Sequence, residues 1–142
     1  MSSIVQGLTN TFKTQMLSGT MDFTTDVFKI ALYTNDATLD ETTSTYSATN
    51  EVVGTGYTAG GVTLTGGIVT QDNSANVVYI TFDSPITWTG TFSTRGALIY
   101  NSSSSNYSVC VLDFGAVKTI ASETLTVTLP NNTATTALIR FN

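Results

Sequence analysis

The sequence predicts an all-β protein: an antiparallel β-sandwich of jelly-roll type with a short N-terminal helix. Three observations lead there. From Val27 onward, apolar residues recur at every second position, the period of a strand with one buried face. Clusters of Asp, Asn, Ser, Gly and Pro interrupt these runs at short intervals, which is turn chemistry. Thr fills many of the polar positions; it is β-branched and favours strands, and its hydroxyl keeps an outer face wet without charge.

The elements follow in order. Ile4, Leu8, Phe12 and Met16 recur at four-residue spacing beside Val5 and Leu17, and this stripe predicts the helix. Ser2 or Ser3 would cap its start, and Gly19 stands where a helix commonly ends. The stripe suits either the end of a β core or a partner surface. Val27–Tyr33 reads as a strand with Phe28, Ile30 and Leu32 on one face. Gly61–Thr65, Ile68–Thr70 and Asn76–Phe82 continue the alternation, the last grouping Val78, Ile80 and Phe82. Arg95–Tyr100 and Ser108–Asp113 are nearly continuous apolar runs and so predict central strands. Glu123–Leu129 alternates strictly with Thr outward, and Ala137–Phe141 closes the chain as a strand. Asp72–Ser74, Asp83–Pro85, Asn101–Asn106 and Pro130–Asn132 supply the turns.

The 142 residues fit one domain, 1–142, with residues 1–20 as its helix or arm. Residues 34–60 break the strand rhythm and are read as a long loop, of the kind that is usually functional or mobile, and as the first candidate for a contact arm. That arm and the number of strands favour the jelly roll over an immunoglobulin-like sandwich, which shares the local pattern.

Charge is scarce. Asp, Glu, Lys and Arg make up 11% of the chain, against about 25% in an ordinary soluble domain. Ten acids and five bases leave a net charge of −5, and there is no His. The bases, Lys13, Lys29, Lys118, Arg95 and Arg140, are scattered, so no basic patch for nucleic acid or an anionic membrane is expected. No stretch approaches the ~20 apolar residues of a membrane-spanning helix. The first residues lack a secretory pattern, so synthesis in a cytoplasm without classical export is expected. The sequons at Asn101, Asn106 and Asn131 are accordingly read as chance matches.

The same composition excludes several chemistries. Ser-His-Asp and Cys-His nucleophiles need an imidazole, and zinc sites built on Cys and His fail for the same reason. Cys110 is the single cysteine and sits in an apolar run, as a small buried hydrophobe does. Gly54–Gly61 superficially resembles a phosphate loop but lacks its Gly-Lys-Ser/Thr ending and any following helix. Asp36, Asp40, Glu41 and Glu51 share the long loop, where a glycosidase pair or a calcium site is conceivable and solvated acid is the simpler reading. Trp88, Phe92 and Tyr100 would make a sugar-stacking platform if exposed, whereas a lone Trp in a sandwich often packs the core. No catalytic, metal or cofactor-binding residue is therefore assigned, and no cofactor is expected.

Four blocks taken together carry a resemblance. They are Val27–Thr34, Tyr46–Gly61 (with Asn50-Glu51-Val52-Val53-Gly54-Thr55-Gly56-Tyr57), Thr94–Asn101 and Val111–Gly115. In that order and spacing the chain, from about Leu8 to Phe141, resembles small structural proteins of tailed bacteriophages. The resemblance implies a non-enzymatic virion protein assembled in a bacterial cytoplasm, with capsid decoration or cement as the most natural task. Head-fibre, connector or tail roles, including recognition of host-surface carbohydrate, are the alternatives. Expected partners are the chain itself, as a dimer or trimer, and other virion proteins such as the major capsid protein.

Overall fold

A computed structural model of the chain describes residues 3–142. The architecture is mostly β, with antiparallel sheets and one short helix. In chain order the elements are β1 (Ser3–Ile4), β2 (Gly7–Leu8), α1 (Asn10–Ser18), β3 (Phe28–Tyr33), β4 (Thr38–Leu39), β5 (Val62–Thr63), β6 (Thr70–Asp72), β7 (Val77–Ile80), β8 (Ile86–Asn101), β9 (Tyr107–Val127) and β10 (Ile139–Phe141). A five-stranded sheet runs β2-β9-β8-β3-β5, a three-stranded sheet runs β10-β7-β6, and β1 pairs with β4 in parallel.

The helix starts later than the four-residue spacing predicts. Ile4 and Leu8 belong to β1 and β2, so neither lies on the helix. Ser3 is in β1 and caps nothing, while Ser2 lies outside the described residues. Thr9 is the cap: its extended backbone stands before the helix, and its hydroxyl accepts from the Phe12 amide at 3.1 Å. Backbone pairing overrides the apolar spacing here, because Gly7 and Leu8 complete the edge of β9 opposite Val111 and Cys110. Gly19 ends the helix as expected, at φ 73° with its N–H on the carbonyls of Gln15 and Met16. Only Phe12 of the helix is fully buried, and Leu17 is 92% exposed.

The runs around Trp88, Arg95–Tyr100, Ser108–Asp113 and Glu123–Leu129 merge into two very long strands. β8 has 16 residues and β9 has 21, paired from Asn101↔Tyr107 to Ile86↔Val127. Register shifts between Gly90 and Phe92, Thr94 and Gly96, and Ile99 and Tyr100 let the hairpin bend without breaking. The bend brings Val127–Pro130 across from Cys110–Phe114, with a groove of about 440 Å³ between them.

The main core joins Phe28, Ile30, Leu32 and Ile99 of the large sheet to Ile80 and Ile139 of the small one and to Phe82 just beyond β7, with Phe12 at its end. Val77 is buried and Val78 is 38% exposed, so the expected grouping of Val78 with Ile80 and Phe82 holds only for the last two. A second cluster lies on the opposite face of the same central strands: Ala31, Tyr33, Leu98, Tyr100 and Val111 with Ile4, Ala37 and Leu39. β3 and the proximal parts of β8 and β9 are therefore covered on both faces, as the nearly continuous apolar runs Arg95–Tyr100 and Ser108–Asp113 predict for the latter two. β3, expected to have one wet face, is buried on both.

Candidate functional site

The second face is covered by residues of the segment 34–60, the stretch read from sequence as a long loop and candidate contact arm. The segment contains β4, and isolated bridges tie Glu51 to Tyr33, Thr45 to Tyr107 and Thr55 to Thr91. It crosses the sheet as a strap. Glu51 is 6% exposed and ties the middle of the strap to its C-terminal end. Its carboxylate accepts from Tyr46 Oη at 2.7 Å, Tyr57 Oη at 2.6 Å and the Gly60 N–H at 2.7 Å. Three donors around one buried carboxylate replace the water it gives up.

Aromatic packing adds to this tie. The Tyr46 ring stacks on Tyr100 with centroids 4.8 Å apart, Tyr100 Oη donates to the Gly60 carbonyl at 2.7 Å, and Tyr33 Oη donates to that of Ser47 at 2.6 Å. Burial pushes the phenols of Tyr33, Tyr46, Tyr57 and Tyr100 upward, and the Glu51 charge pushes the same way.

The glycines of Gly54–Gly61 have a packing role. At Gly56 (φ 87°) and Gly61 (φ 77°) a Cβ would collide with the backbone carbonyls of Thr89 and Ile30. No phosphate cradle is needed to account for them. Asp40 accepts from the Thr42 amide and hydroxyl, at 2.8 and 2.6 Å, and these bonds hold its carboxyl below the usual range. Among the described residues no three acids or thiols gather as a metal site.

The sugar platform does not form, and Trp88 packs in the core, the reading preferred from sequence. Trp88, Phe92 and Tyr100 are 4%, 6% and 3% exposed, because the first two point into the main core and Tyr100 lies on the opposite face beneath the strap. Cys110 is buried too, and burial pushes its thiol up to about 12. Arg95 and Asp113 form an ion pair at 3.0 Å, with Asn35 of the strap also bound to the guanidinium.

What the protein shows to the outside is clearest on the distal half of the β8–β9 hairpin. Cross-strand pairs share a face. Trp88↔Leu125 and Phe92↔Ile120 lie on the inner one, and Thr87↔Thr126, Thr89↔Thr124 and Ser93↔Thr119 form the outer one. All six outer residues are exposed and none is charged. The Thr89 and Thr124 hydroxyls lie 2.9 Å apart and those of Ser93 and Thr119 2.8 Å apart, so the ribbon carries a pre-ordered row of hydroxyls and methyls. The strict Thr alternation after Glu123 makes Thr124 and Thr126 of this row legible. Thr119 and the partners on β8 become visible only with the register.

No family model matches the chain, no curated protein matches it, and no solved structure does so either.

Proposed function

We propose that the chain is a non-enzymatic structural protein of a tailed-bacteriophage virion, a decoration or cement subunit that binds and stabilises the capsid shell. The observation that carries this reading is the outer face of the distal hairpin: six exposed Ser and Thr residues in three cross-strand pairs, without a charge. Such a face loses little on being buried. Its methyls leave water favourably, its hydroxyls can re-pair across an interface, and no ion has to be stripped of water. A net charge of −5 keeps the subunit soluble before docking and suits a basic patch on the shell. The resemblance to small phage structural proteins supplies the setting.

In this reading the subunit acts as a dimer or trimer on the major capsid protein, in the virion, and contacts neither nucleic acid nor membrane. We also read the facing of the five- and three-stranded sheets as a jelly-roll-like sandwich.

The test is titration of purified shells that lack the protein. Saturable binding at fixed sites and a raised rupture temperature are expected. Thr89→Lys, which sets one charge into the uncharged row, should weaken that binding by about tenfold or more, since one stranded charge costs over 1.4 kcal/mol. Shells that neither take up the protein nor gain heat resistance would refute the proposal.

A further inference from the structure

The strap encloses a second feature, a pocket of about 250 Å³ between β4 and residues 43–50. Its floor is apolar: the Tyr33 ring, Ala37 and Leu39, all buried. Its rim is made of hydroxyls. Thr38, Thr45 and Thr49 line it, and among the described residues their hydroxyls have no hydrogen-bond partner. Thr43 and Ser47 hydroxyls accept there from the Asp40 and Thr49 amides, which leaves their own protons free to donate. No charged side chain lines the pocket.

We propose that this pocket binds a single neutral pyranose ring, either a free monosaccharide or the terminal unit of a polysaccharide. Three properties of the site select that class. Without charge it offers nothing to hold an ion. Its spare donors and acceptors suit a ligand with many hydroxyls, whereas an apolar ligand would strand them. Its floor is apolar and offers water no partner, so a ring that sets its C–H face downward and its hydroxyls toward the rim leaves no polar group unpaired. The volume equals about eight water molecules, the space one hexose with its hydroxyls takes up.

The pocket also has a fixed shape before any ligand arrives. Tyr33 Oη is held by the Ser47 carbonyl, the Thr34 amide and hydroxyl both bond to the Asn50 carbonyl, and the Asn50 side chain donates to that of Asp36. Preorganisation of this kind lowers the ordering cost that makes small polyols weak ligands. The site lies on the strap, apart from the distal ribbon, and its occupancy does not depend on shell binding.

The experiment is an amide-resolved NMR titration of the full chain with the methyl pyranosides of glucose, galactose and mannose, and separately with dextran, galactan and mannan. At least one pyranoside should shift the Thr45 and Thr49 amides saturably, with a Kd of about 1 mM. Thr45→Val and Thr49→Val keep the β-branched shape at exposed positions, and each should weaken binding about fivefold by removing one hydroxyl. Thr124→Val on the far ribbon should leave it unchanged. Competition by a polysaccharide for the same shifts would identify the ligand as a chain-terminal unit, and binding of the monosaccharide alone would identify a free sugar. No saturable shift at about 50 mM pyranoside, some fifty times the expected constant, would overturn the proposal. So would shifts that persist in full in the Thr45→Val/Thr49→Val double variant.

Discussion

The two halves of the β8–β9 hairpin are continuous in backbone and opposite in environment. In the proximal half, Ala97, Leu98, Ile99, Val109 and Val111 are all 0% exposed, so inward- and outward-pointing residues alike are buried. In the distal half burial alternates: Trp88 and Phe92 are buried while Thr87, Thr89 and Ser93 face solvent. The same ladder runs through both. The difference is the strap, which covers the outward face of the proximal half but meets the distal half only along one edge and on the inner face, at Thr55↔Thr91, at Gly56 against Thr89 and at the Tyr57 ring 5.9 Å from that of Phe92. Whether a strand has one hydrophobic face or two is thus decided by what the rest of the chain lays over it.

Truncation in each half should break the comparison most visibly. Ile99→Ala empties a site that is 0% exposed, between strands covered on both faces, and should cost about 4 kcal/mol. Leu125→Ala, at a half-buried distal position, should cost about 1 kcal/mol, since less surface is returned to water. Urea denaturation of the two variants measures the difference, and equal losses would mean that the halves are packed alike.

Loosening the strap should sharpen it. Glu51→Gln keeps the size but leaves the carboxamide one acceptor oxygen for three donors, and should cost about 2–3 kcal/mol. The near-ultraviolet signal of the tyrosines should change, while the emission of Trp88, the chain's single tryptophan, stays that of a buried indole. A shift of Trp88 to longer wavelength in the folded variant would show that strap and ribbon are not separable.

The smallest effect is expected from mild alkali. Cys110 has a folded pKa of about 12, above its unfolded value, so its contribution is fully present below the unfolded pKa and declines as pH rises toward 12. By pH 9.5 the loss should be about 1 kcal/mol. The raised tyrosines add to it with the same sign once pH passes the ordinary phenol value near 10. All these groups belong to the proximal half or its strap, so alkaline melting curves followed by tyrosine should lead those followed by Trp88.

Trp88 also illustrates what spacing conceals. As a core residue it was one of two readings from sequence, and the structure selects it through the inward parity of β8. Its indole Nε1–H is buried without a hydrogen-bond acceptor among the described residues, which no pattern in Ile86–Thr89 foretells. The helix start failed for a different reason. Ile4, Leu8, Phe12 and Met16 satisfy helical spacing equally well when the first two are strand residues, because two residues of strand are too short to show a period. Thr9 followed by a helix-forming stretch was the available signal for the true cap.

The sequence by itself determined the β class, the central place of Arg95–Tyr100 and Ser108–Asp113, the Thr-faced alternation after Glu123, and the poverty of charge. These follow from local composition and period, which a strand's two faces imprint directly on the chain. The tertiary structure alone decided that residues 34–60 lie over the sheet as a strap, that Glu51 is its tie, and that six hydroxyl side chains align across two strands. Each of these depends on residues brought together by folding. Tyr46, Tyr57 and Gly60 become donors to one carboxylate only when the strap closes, and Thr89 meets Thr124 only when the register of β8 and β9 is set.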